Sequence, residues 1–268
     1  MANNFQWKAS SVSGTKKPEN DDDWAVISSG LNGSEILSAE GTFSNNNEDI
    51  IFAISDGMGG GNAGHLASSL IMEHLSKIIP QTFKSAAEGF HPDYLEKLEL
   101  VIEQIHNEIN LAASKDEAHH GMAATLTLAW FTPENLYLAH VGDSRLYLHR
   151  DEETTQLTDD HTLVWKKFNR GEITEMQLRN NPRRSILYQI VGAGNRPPRP
   201  QIEAIPYQKG DLFMLCTDGI IDGTWQKNIQ AGFINHSNSP QDLHDELLQT
   251  SLANAGTDDT TIIALSIS

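Results

Sequence analysis

The sequence has little cysteine, little positive charge and no long apolar run. Its 268 residues include one cysteine, Cys216, so no disulfide can form within the chain. No window approaches the ~20 consecutive apolar residues that a transmembrane helix needs. The N-terminus also lacks the basic start and apolar run of a signal peptide. We therefore expect a cytoplasmic protein.

The charge balance argues against two classes of partner. Only 19 Lys and Arg residues face 36 Asp and Glu residues, which gives a formal net charge of −17. Nucleic acids and anionic membranes both require a basic surface, so neither is an expected partner. The charge has two explanations: a well-solvated acidic surface, or carboxylates that bind cations.

Apolar periodicity predicts both strands and helices. Several short apolar runs, many of them alternating, are typical of strands: 24–28, 50–55, 126–131, 136–141, 145–150, 211–217 and 261–267. Helical spacing of apolar residues appears over 64–79, 93–112 and 240–253, and Pro80 is expected to end the first helix. The segment LYLAHVGDSRLYLHR is typical of a hairpin.

The order of these elements predicts an α+β fold. Strands come first, then helices, a run of strands, a helix and a last strand, which favours antiparallel sheets with helices outside them. We expect one domain over residues 1–268. Within it, residues 29–48 are polar and rich in Gly, Asn and Ser, so they are expected to form a surface loop or hairpin excursion. Residues 158–200 hold basic and proline-rich stretches and are expected to form a flap.

Aspartates recur at the ends of the predicted strands. They stand in AISDGMGGG, HVGDSRLY, LCTDGIIDG and AGTDDTTII, at Asp56, Asp143, Asp218 and Asp258. One such residue is ordinary and can cap a helix, but carboxylates that converge on one sheet edge repel each other unless they bind cations. Oxygen ligands without a Cys or His cluster favour Mg²⁺ or Mn²⁺ over zinc. No Lys-Ser/Thr follows the glycines, which excludes a Walker loop.

Taken together, these motifs resemble the metal-dependent Ser/Thr protein phosphatases of the PPM, or protein phosphatase 2C, family. DGMGGGNAGHLAS is similar to the family signature, and the segments GMAATLTLAW, VGDSRLYLHR, LTDDHTLV, LCTDG and GTDDTTII follow in the family order. The resemblance covers about residues 12–265. It implies a β-sandwich of two antiparallel sheets flanked by α-helices, a four-layer α-β-β-α arrangement with metals at one end.

The resemblance also implies roles for individual residues. Asp56 would bridge two divalent cations, Mn²⁺ or Mg²⁺. Asp218 and Asp258 would complete one site, and the Gly57 carbonyl and Asp22 would serve the other. A water or hydroxide between the two cations would attack phosphorus in line, without a phosphoenzyme.

The family pattern also assigns roles to Asp143, to one of three consecutive acids and to Lys17. Asp143 would contact a third, weaker metal, as in bacterial-type members. In GTKKPENDDDW, the family register selects Asp22 from the three acids and leaves Asp21 and Asp23 facing solvent. The same register puts Lys17 where the family has a phosphate-binding Arg, and a lysine offers a point charge instead of a bidentate guanidinium.

Two functions follow from these features. The first is hydrolysis of phosphoserine and phosphothreonine in proteins phosphorylated by a Ser/Thr kinase, by a free-standing, monomeric, bacterial-type enzyme. The alternative is a weakly active or non-catalytic phosphoprotein-binding family member, because Lys17 replaces the Arg. A metal-dependent nuclease shares the acidic pattern, but the acidic surface disfavours it. The flap arginines are expected to attract the phosphopeptide: Arg170, Arg179, Arg183 and Arg184.

Overall fold

A computed structural model describes residues 3–16, 19–30, 33–46, 48–87, 94–194 and 196–268, with only the backbone for 79–87. The strands are β1 (Asn4–Val12), β2 (Asp22–Gly30), β3 (Gly33–Ile36), β4 (Glu40–Ser44), β5 (Asp49–Met58), β6 (Ala123–Ala124), β7 (Leu126–Phe131), β8 (Leu136–Val141), β9 (Arg145–Arg150), β10 (Glu153–Gln156), β11 (Val191–Gly192), β12 (Gln201–Ile205), β13 (Leu212–Cys216) and β14 (Thr260–Ile267). The helices are α1 (Ala63–Ala87), α2 (Tyr94–Ser114), α3 (Leu163–Asn169), α4 (Glu175–Arg179), α5 (Asp218–Gly223), α6 (Gln226–Asn235) and α7 (Pro240–Ala255).

The strands form two antiparallel sheets that face each other. Within the described residues, one sheet has six strands in the order β10-β9-β13-β14-β1-β4. The other has eight, with β11-β6-β5-β7-β8-β12 in one path and β2 and β3 joined to it through β5. The predicted β-sandwich of an α+β fold is thereby confirmed.

Three apolar clusters separate four layers. Large side chains such as Phe5, Phe52 and Phe213 fill the space between the sheets. A second cluster packs α1 and α2 on the eight-stranded sheet, and a third packs α5, α6 and α7 on the six-stranded sheet. The arrangement is therefore α-β-β-α, as the resemblance implied. No helix in the described part of the chain is long and apolar enough to cross a membrane.

The predicted hairpin over LYLAHVGDSRLYLHR is wrong. β8 pairs with β7 and β12 in one sheet, whereas β9 pairs with β10 and β13 in the other. The VGDS turn therefore carries the chain between the sheets. Both strands are almost wholly buried, without the alternating exposed face of a hairpin on a solvated sheet. Gly142 makes the turn with a φ of +115°, a conformation that suits glycine.

The predicted end of the first helix at Pro80 is also wrong, because α1 continues to Ala87. A proline removes one backbone hydrogen bond from a helix, and a helix can absorb that loss by bending. The other two predicted helices, over 93–112 and 240–253, are confirmed as α2 and α7.

The two segments singled out by composition contain regular structure. Residues 29–48 include β3, which pairs with β2, and β4, which pairs with β1 in the opposite sheet. Residues 158–200 include the short helices α3 and α4 and the strand β11. Each short helix begins with a threonine cap, Thr162 for α3 and Thr174 for α4.

Candidate metal centre

The antiparallel topology brings the strand-end aspartates to one end of the sandwich. β2 begins where β5 ends, and Asp22 lies directly opposite Asp56 in the register. In the facing sheet, β13 ends beside the start of β14, and Cys216 lies opposite Ile262. The turn that carries Asp143 joins β8 to β9, and Arg145 pairs with Cys216 at this same end.

Gly57 lies where no side chain fits. A Cβ atom there would be 2.0 Å from the Gly64 carbonyl oxygen and 2.6 Å from that of Asp21, both backbone atoms. The Gly57 amide donates a hydrogen bond to the Asp21 carbonyl oxygen at 3.0 Å. The glycine therefore allows the end of β5 to lie against the start of α1.

Asp22 is held across the two sheets. It is 6% exposed, and its Oδ2 atom accepts a hydrogen bond from the Thr217 hydroxyl at 2.8 Å. The Thr217 oxygen in turn accepts the backbone N–H of Thr261 at 3.0 Å. Burial raises the pKa of the Asp22 carboxyl to about 7, against hydrogen bonds from Thr261 and Thr217, and the charges of Asp218 and Asp259 raise it further.

Asp143 is buried in a cleft that Asp218 also lines. Burial raises the pKa of the Asp143 carboxyl well above its usual range, and the negative charges of Asp218 and Asp160 add to the rise. Arg145 acts in the opposite direction. Asp218 thus influences both Asp22 and Asp143, which places these three carboxylates within electrostatic reach of one another.

Asp258 and Asp259 play different parts just before β14. Asp259 is buried, and its carboxylate accepts the N–H of Gly14 and the N–H of Asp21, both at 2.8 Å. Those bonds hold the segment that leads into β2. Asp258 is half-buried, and its Oδ1 accepts the N–H of Asp259 at 3.0 Å. The structure therefore gives Asp259 a backbone-binding role.

The prediction that Asp21 faces solvent is wrong. It is half-buried, and its Oδ1 atom accepts the N–H of His65 at 2.9 Å, in the first turn of α1. A carboxylate at a helix N-terminus satisfies a free N–H group and interacts favourably with the helix dipole. Asp23, also half-buried, accepts the N–H of Trp24 at 2.8 Å.

A buried ion pair fixes the turn that carries Asp143. Arg145 donates to both oxygens of Asp160, at 2.9 Å from Nε and 2.7 Å from Nη2. His161 also holds the turn, because its Nδ1 accepts the Gly142 N–H at 3.1 Å and its own N–H binds the Gly142 carbonyl at 2.7 Å. Burial lowers the pKa of His161 to about 4, so the ring is neutral at pH 7. These contacts support a structural His161.

Two hydroxyls that the sequence analysis missed connect Asp56 to the Asp143 turn. The Thr125 hydroxyl accepts the Asp56 N–H at 2.9 Å, and the Thr125 N–H binds the Asp56 carbonyl at 2.9 Å. The same hydroxyl lies 2.8 Å from that of Ser144. In the sequence, only the position of Thr125 at the start of TLTLAW indicates such a role. Thr217 has a comparable position, directly before Asp218.

The donor set at this end fits divalent cations that prefer oxygen ligands. Within the described residues, no three His, Cys, Asp or Glu side chains are already drawn together as metal ligands. However, buried carboxylates with raised pKa values are stabilised in their charged form by a nearby cation. The Gly57 cradle also keeps backbone carbonyls close to the strand end that carries Asp56. These are features of a Mg²⁺ or Mn²⁺ site.

The residues that the sequence predicts to bind phosphate or attract the phosphopeptide differ in their contacts and exposure. Lys17 lies outside the described residues. Arg184 and Arg179 are committed to contacts with the body, because Arg184 forms a two-pronged ion pair with Asp222 and Arg179 donates to the Thr224 carbonyl at 2.6 Å. Arg183 and Arg170 are exposed. The prediction that all four arginines attract substrate stays a prediction.

Comparison with known proteins extends these observations. The family model described as protein phosphatase 2C matches residues 38–257. The serine/threonine phosphatase stp of Listeria innocua is 33% identical over 180 residues, 67% of this chain and 70% of that protein. The crystal structure of the Mycobacterium tuberculosis serine/threonine phosphatase PstP/Ppp covers 98% of each chain, with 25% identity and a TM-score of 0.77. A PstP catalytic domain in complex with 2 manganese ions has the same fold, with a TM-score of 0.74 and 24% identity over 99% of each chain. The chain belongs to the protein phosphatase 2C family of metal-dependent Ser/Thr phosphatases.

Proposed function

We propose that this protein hydrolyses phosphoserine and phosphothreonine in phosphoproteins, with two Mn²⁺ or Mg²⁺ ions and a weaker third. The observation that carries the proposal is the pairing of Asp22 with Asp56 at the same end of the sandwich as Asp218 and Asp143. Family membership supplies the reaction class.

The proposed ligands are those that the family resemblance implies. Asp56 would hold both main cations, Asp218 and Asp258 would hold one, and Asp22 with the Gly57 carbonyl would hold the other. Asp143 would hold the third. When bound, the cations supply positive charge for the phosphoryl oxygens and lower the pKa of the attacking water.

The chain's own residues prepare the site for this chemistry. Thr217 orients Asp22, and Asp259 holds the backbone before it. The Arg145–Asp160 pair and His161 fix the turn of Asp143. With a pKa of about 4, His161 carries no proton to donate as imidazolium at pH 7, so it is not proposed as the general acid.

The direct test is hydrolysis by the purified, metal-depleted protein with added Mn²⁺. We expect turnover of p-nitrophenyl phosphate and of a phosphothreonine peptide, and loss of both in Asp56→Asn. Isothermal titration of Mn²⁺ into Asp56→Asn should also show a weakened site. A wild-type protein that binds Mn²⁺ and hydrolyses neither substrate would refute the proposal.

The alternative, a weakly active or non-catalytic phosphoprotein-binding member, rests only on Lys17. The family relationship favours the active enzyme. A Lys17→Arg variant distinguishes them, because a guanidinium restores two-pronged phosphate binding. A large gain in kcat/KM would favour the weakened enzyme, and little change would show that the lysine suffices. We further propose that the protein is a cytoplasmic monomer that acts on substrates of a Ser/Thr kinase. It would form one domain over 1–268 with a flap at 158–200.

A further inference from the structure

An apolar groove lies on the flap, outside the metal centre. We call it the flap groove. It has a volume of about 540 Å³, and six of its lining residues carry the argument: Leu163, Lys167, Pro182, Arg183, Ile186 and Tyr188. Leu163 is 65% exposed, Ile186 58% and Tyr188 40%. Single exposed apolar residues are ordinary, but several in one groove mark an interaction site.

The walls of the flap groove are held by backbone hydrogen bonds. Leu163 begins α3 after the Thr162 cap, and the next residue of that helix, Val164, is buried. The Ile186 N–H donates to the Arg183 carbonyl at 3.2 Å, and the Tyr188 N–H donates to the His161 carbonyl at 2.9 Å. The groove is therefore formed before any partner binds, which reduces the entropy lost on binding.

The charge of the flap groove is opposite to that of the protein. Lys167 and Arg183 line it, and the Lys166 ammonium lies 4.0 Å from the centre of the Tyr188 ring. None of the described residues that line it carries a carboxylate, although the chain has a net charge of −17. An acidic segment with a large apolar side chain complements both properties.

The flap groove is adjacent to the cleft that Asp143 and Asp218 line, which we call the metal-centre cleft. The start of α3 and the segment at 183–184 form the wall between them. Trp165 of α3 and its cap Thr162 line the cleft, whereas Leu163 and Lys167 of the same helix line the groove. Likewise Arg184 lines the cleft and Arg183 the groove. The wall between them is about one helix thick, on the order of 10–12 Å. An extended peptide covers ~3.3–3.6 Å per residue, so roughly three to four residues span that distance.

We infer that the flap groove docks a segment of the phosphoprotein substrate in which a large apolar side chain stands beside acidic residues, roughly three to four residues from the phosphorylated residue. This inference rests on the proposed phosphatase activity. It assigns the groove a part in substrate choice, separate from the chemistry at the metal centre.

The test uses three phosphothreonine peptides that differ only at the docking segment. One carries Leu between two Glu residues at this distance, one has Ala for Leu, and one has Lys for both Glu. We expect the wild-type KM to be lowest for the first peptide, by about tenfold, because one buried apolar side chain and one charge pair supply a difference of that size. Ile186→Asp should remove this preference without changing kcat or the hydrolysis of p-nitrophenyl phosphate.

Two further variants control the test. Leu111 is 50% exposed on α2 and does not line the flap groove, so Leu111→Asp should behave as wild type. Arg183→Glu should reverse the charge preference and favour the Lys-containing peptide. Equal KM values for the three peptides in the wild type, or equal losses in Ile186→Asp and Leu111→Asp, would overturn the inference.

Failure of the phosphatase proposal gives a different result. In that case p-nitrophenyl phosphate is not hydrolysed by any variant. Fluorescence anisotropy of the labelled Leu/Glu phosphopeptide still decides the docking question, because binding does not need turnover. Wild-type binding that Ile186→Asp weakens about tenfold supports the flap groove, and binding that is absent or unchanged overturns it.

Discussion

The Thr217 hydroxyl donates a hydrogen bond of 2.8 Å to Asp22 Oδ2, and so joins the six-stranded sheet to the eight-stranded sheet at the candidate metal centre. Thr217 is fully buried, and its oxygen also accepts the Thr261 N–H. The residue before Asp218 therefore positions a second proposed ligand, Asp22, that lies 195 residues earlier in the chain.

This bond predicts weaker metal binding in Thr217→Val. Valine keeps the shape but cannot donate to Asp22, and loss of an outer hydrogen bond to a ligand typically lowers metal affinity about 10–100-fold. Thr217→Ser keeps the hydroxyl and should stay within about threefold of wild type. Titration calorimetry with Mn²⁺ measures both. A valine variant that loses thermal stability but binds Mn²⁺ as wild type does would show a purely structural threonine.

In the glycine-rich turn, we expect alanine substitution to lower the free energy of unfolding at Gly57 but not at Gly60. In Gly57→Ala the new Cβ would lie 2.0 Å from the Gly64 carbonyl oxygen, so backbone must move, at a cost of about 2 kcal/mol or more in the free energy of unfolding. Gly60→Ala is the matched control, because nothing lies within 4 Å of its Cβ position. Urea denaturation compares them. Equal stabilities would contradict a packing role for Gly57.

Local sequence patterns identify the elements and the acids but not the contacts between distant segments. Strand-end patterns indicate Asp56, Asp143 and Asp218, and the structure places all three at one end of the sandwich. The sequence predicts a solvent-facing Asp21, because nothing local indicates that the N–H of His65, 44 residues later, needs an acceptor. For the same reason no local pattern indicates that Asp259 binds backbone 238 residues away.

The VGDS turn shows why local pattern fails for topology. Two apolar runs separated by three turn residues fit a hairpin and an inter-sheet crossing equally well. The partners decide, and they come from elsewhere in the chain: β7 for β8, and β13 for β9. Burial of both strands on both faces is a property of the folded sandwich. Composition alone therefore predicts the strands but not their sheets.

We expect the removal of one partner of the Arg145–Asp160 pair to lower the free energy of unfolding strongly. Both side chains are 8% exposed, so Arg145→Met leaves a buried, unpaired carboxylate, and the free energy of unfolding should fall by about 3–5 kcal/mol. The double variant Arg145→Met/Asp160→Leu should recover most of that loss, because no charge is left buried. Lys77→Met, at the exposed pair with Glu73, should change stability by no more than about 0.5 kcal/mol. Additive losses in the double variant would contradict this account.

We expect the buried carboxyl of Asp49 to make the free energy of unfolding depend on pH. This effect is independent of the metal centre, because Asp49 lies at the opposite end of β5 from Asp56. Burial raises its pKa from 3.8 to about 7, against a hydrogen bond from the Trp130 indole N–H at 2.9 Å. Between these values the unfolded chain is ionised while the folded chain holds the proton, so stability falls as pH rises from about 4 to 7 and then levels off.

Asp49→Asn removes that titration and keeps an acceptor for Trp130. We expect its free energy of unfolding to exceed that of the wild type by an amount that grows between pH 4 and pH 7 and reaches about 2–4 kcal/mol. Urea denaturation of both metal-free proteins at pH 5 and pH 8 measures the difference. Asp23→Asn, at a half-buried position, corrects for the loss of one negative charge. A gain for Asp49→Asn that is the same at both pH values would show that the Asp49 carboxyl keeps its ordinary pKa in the folded protein.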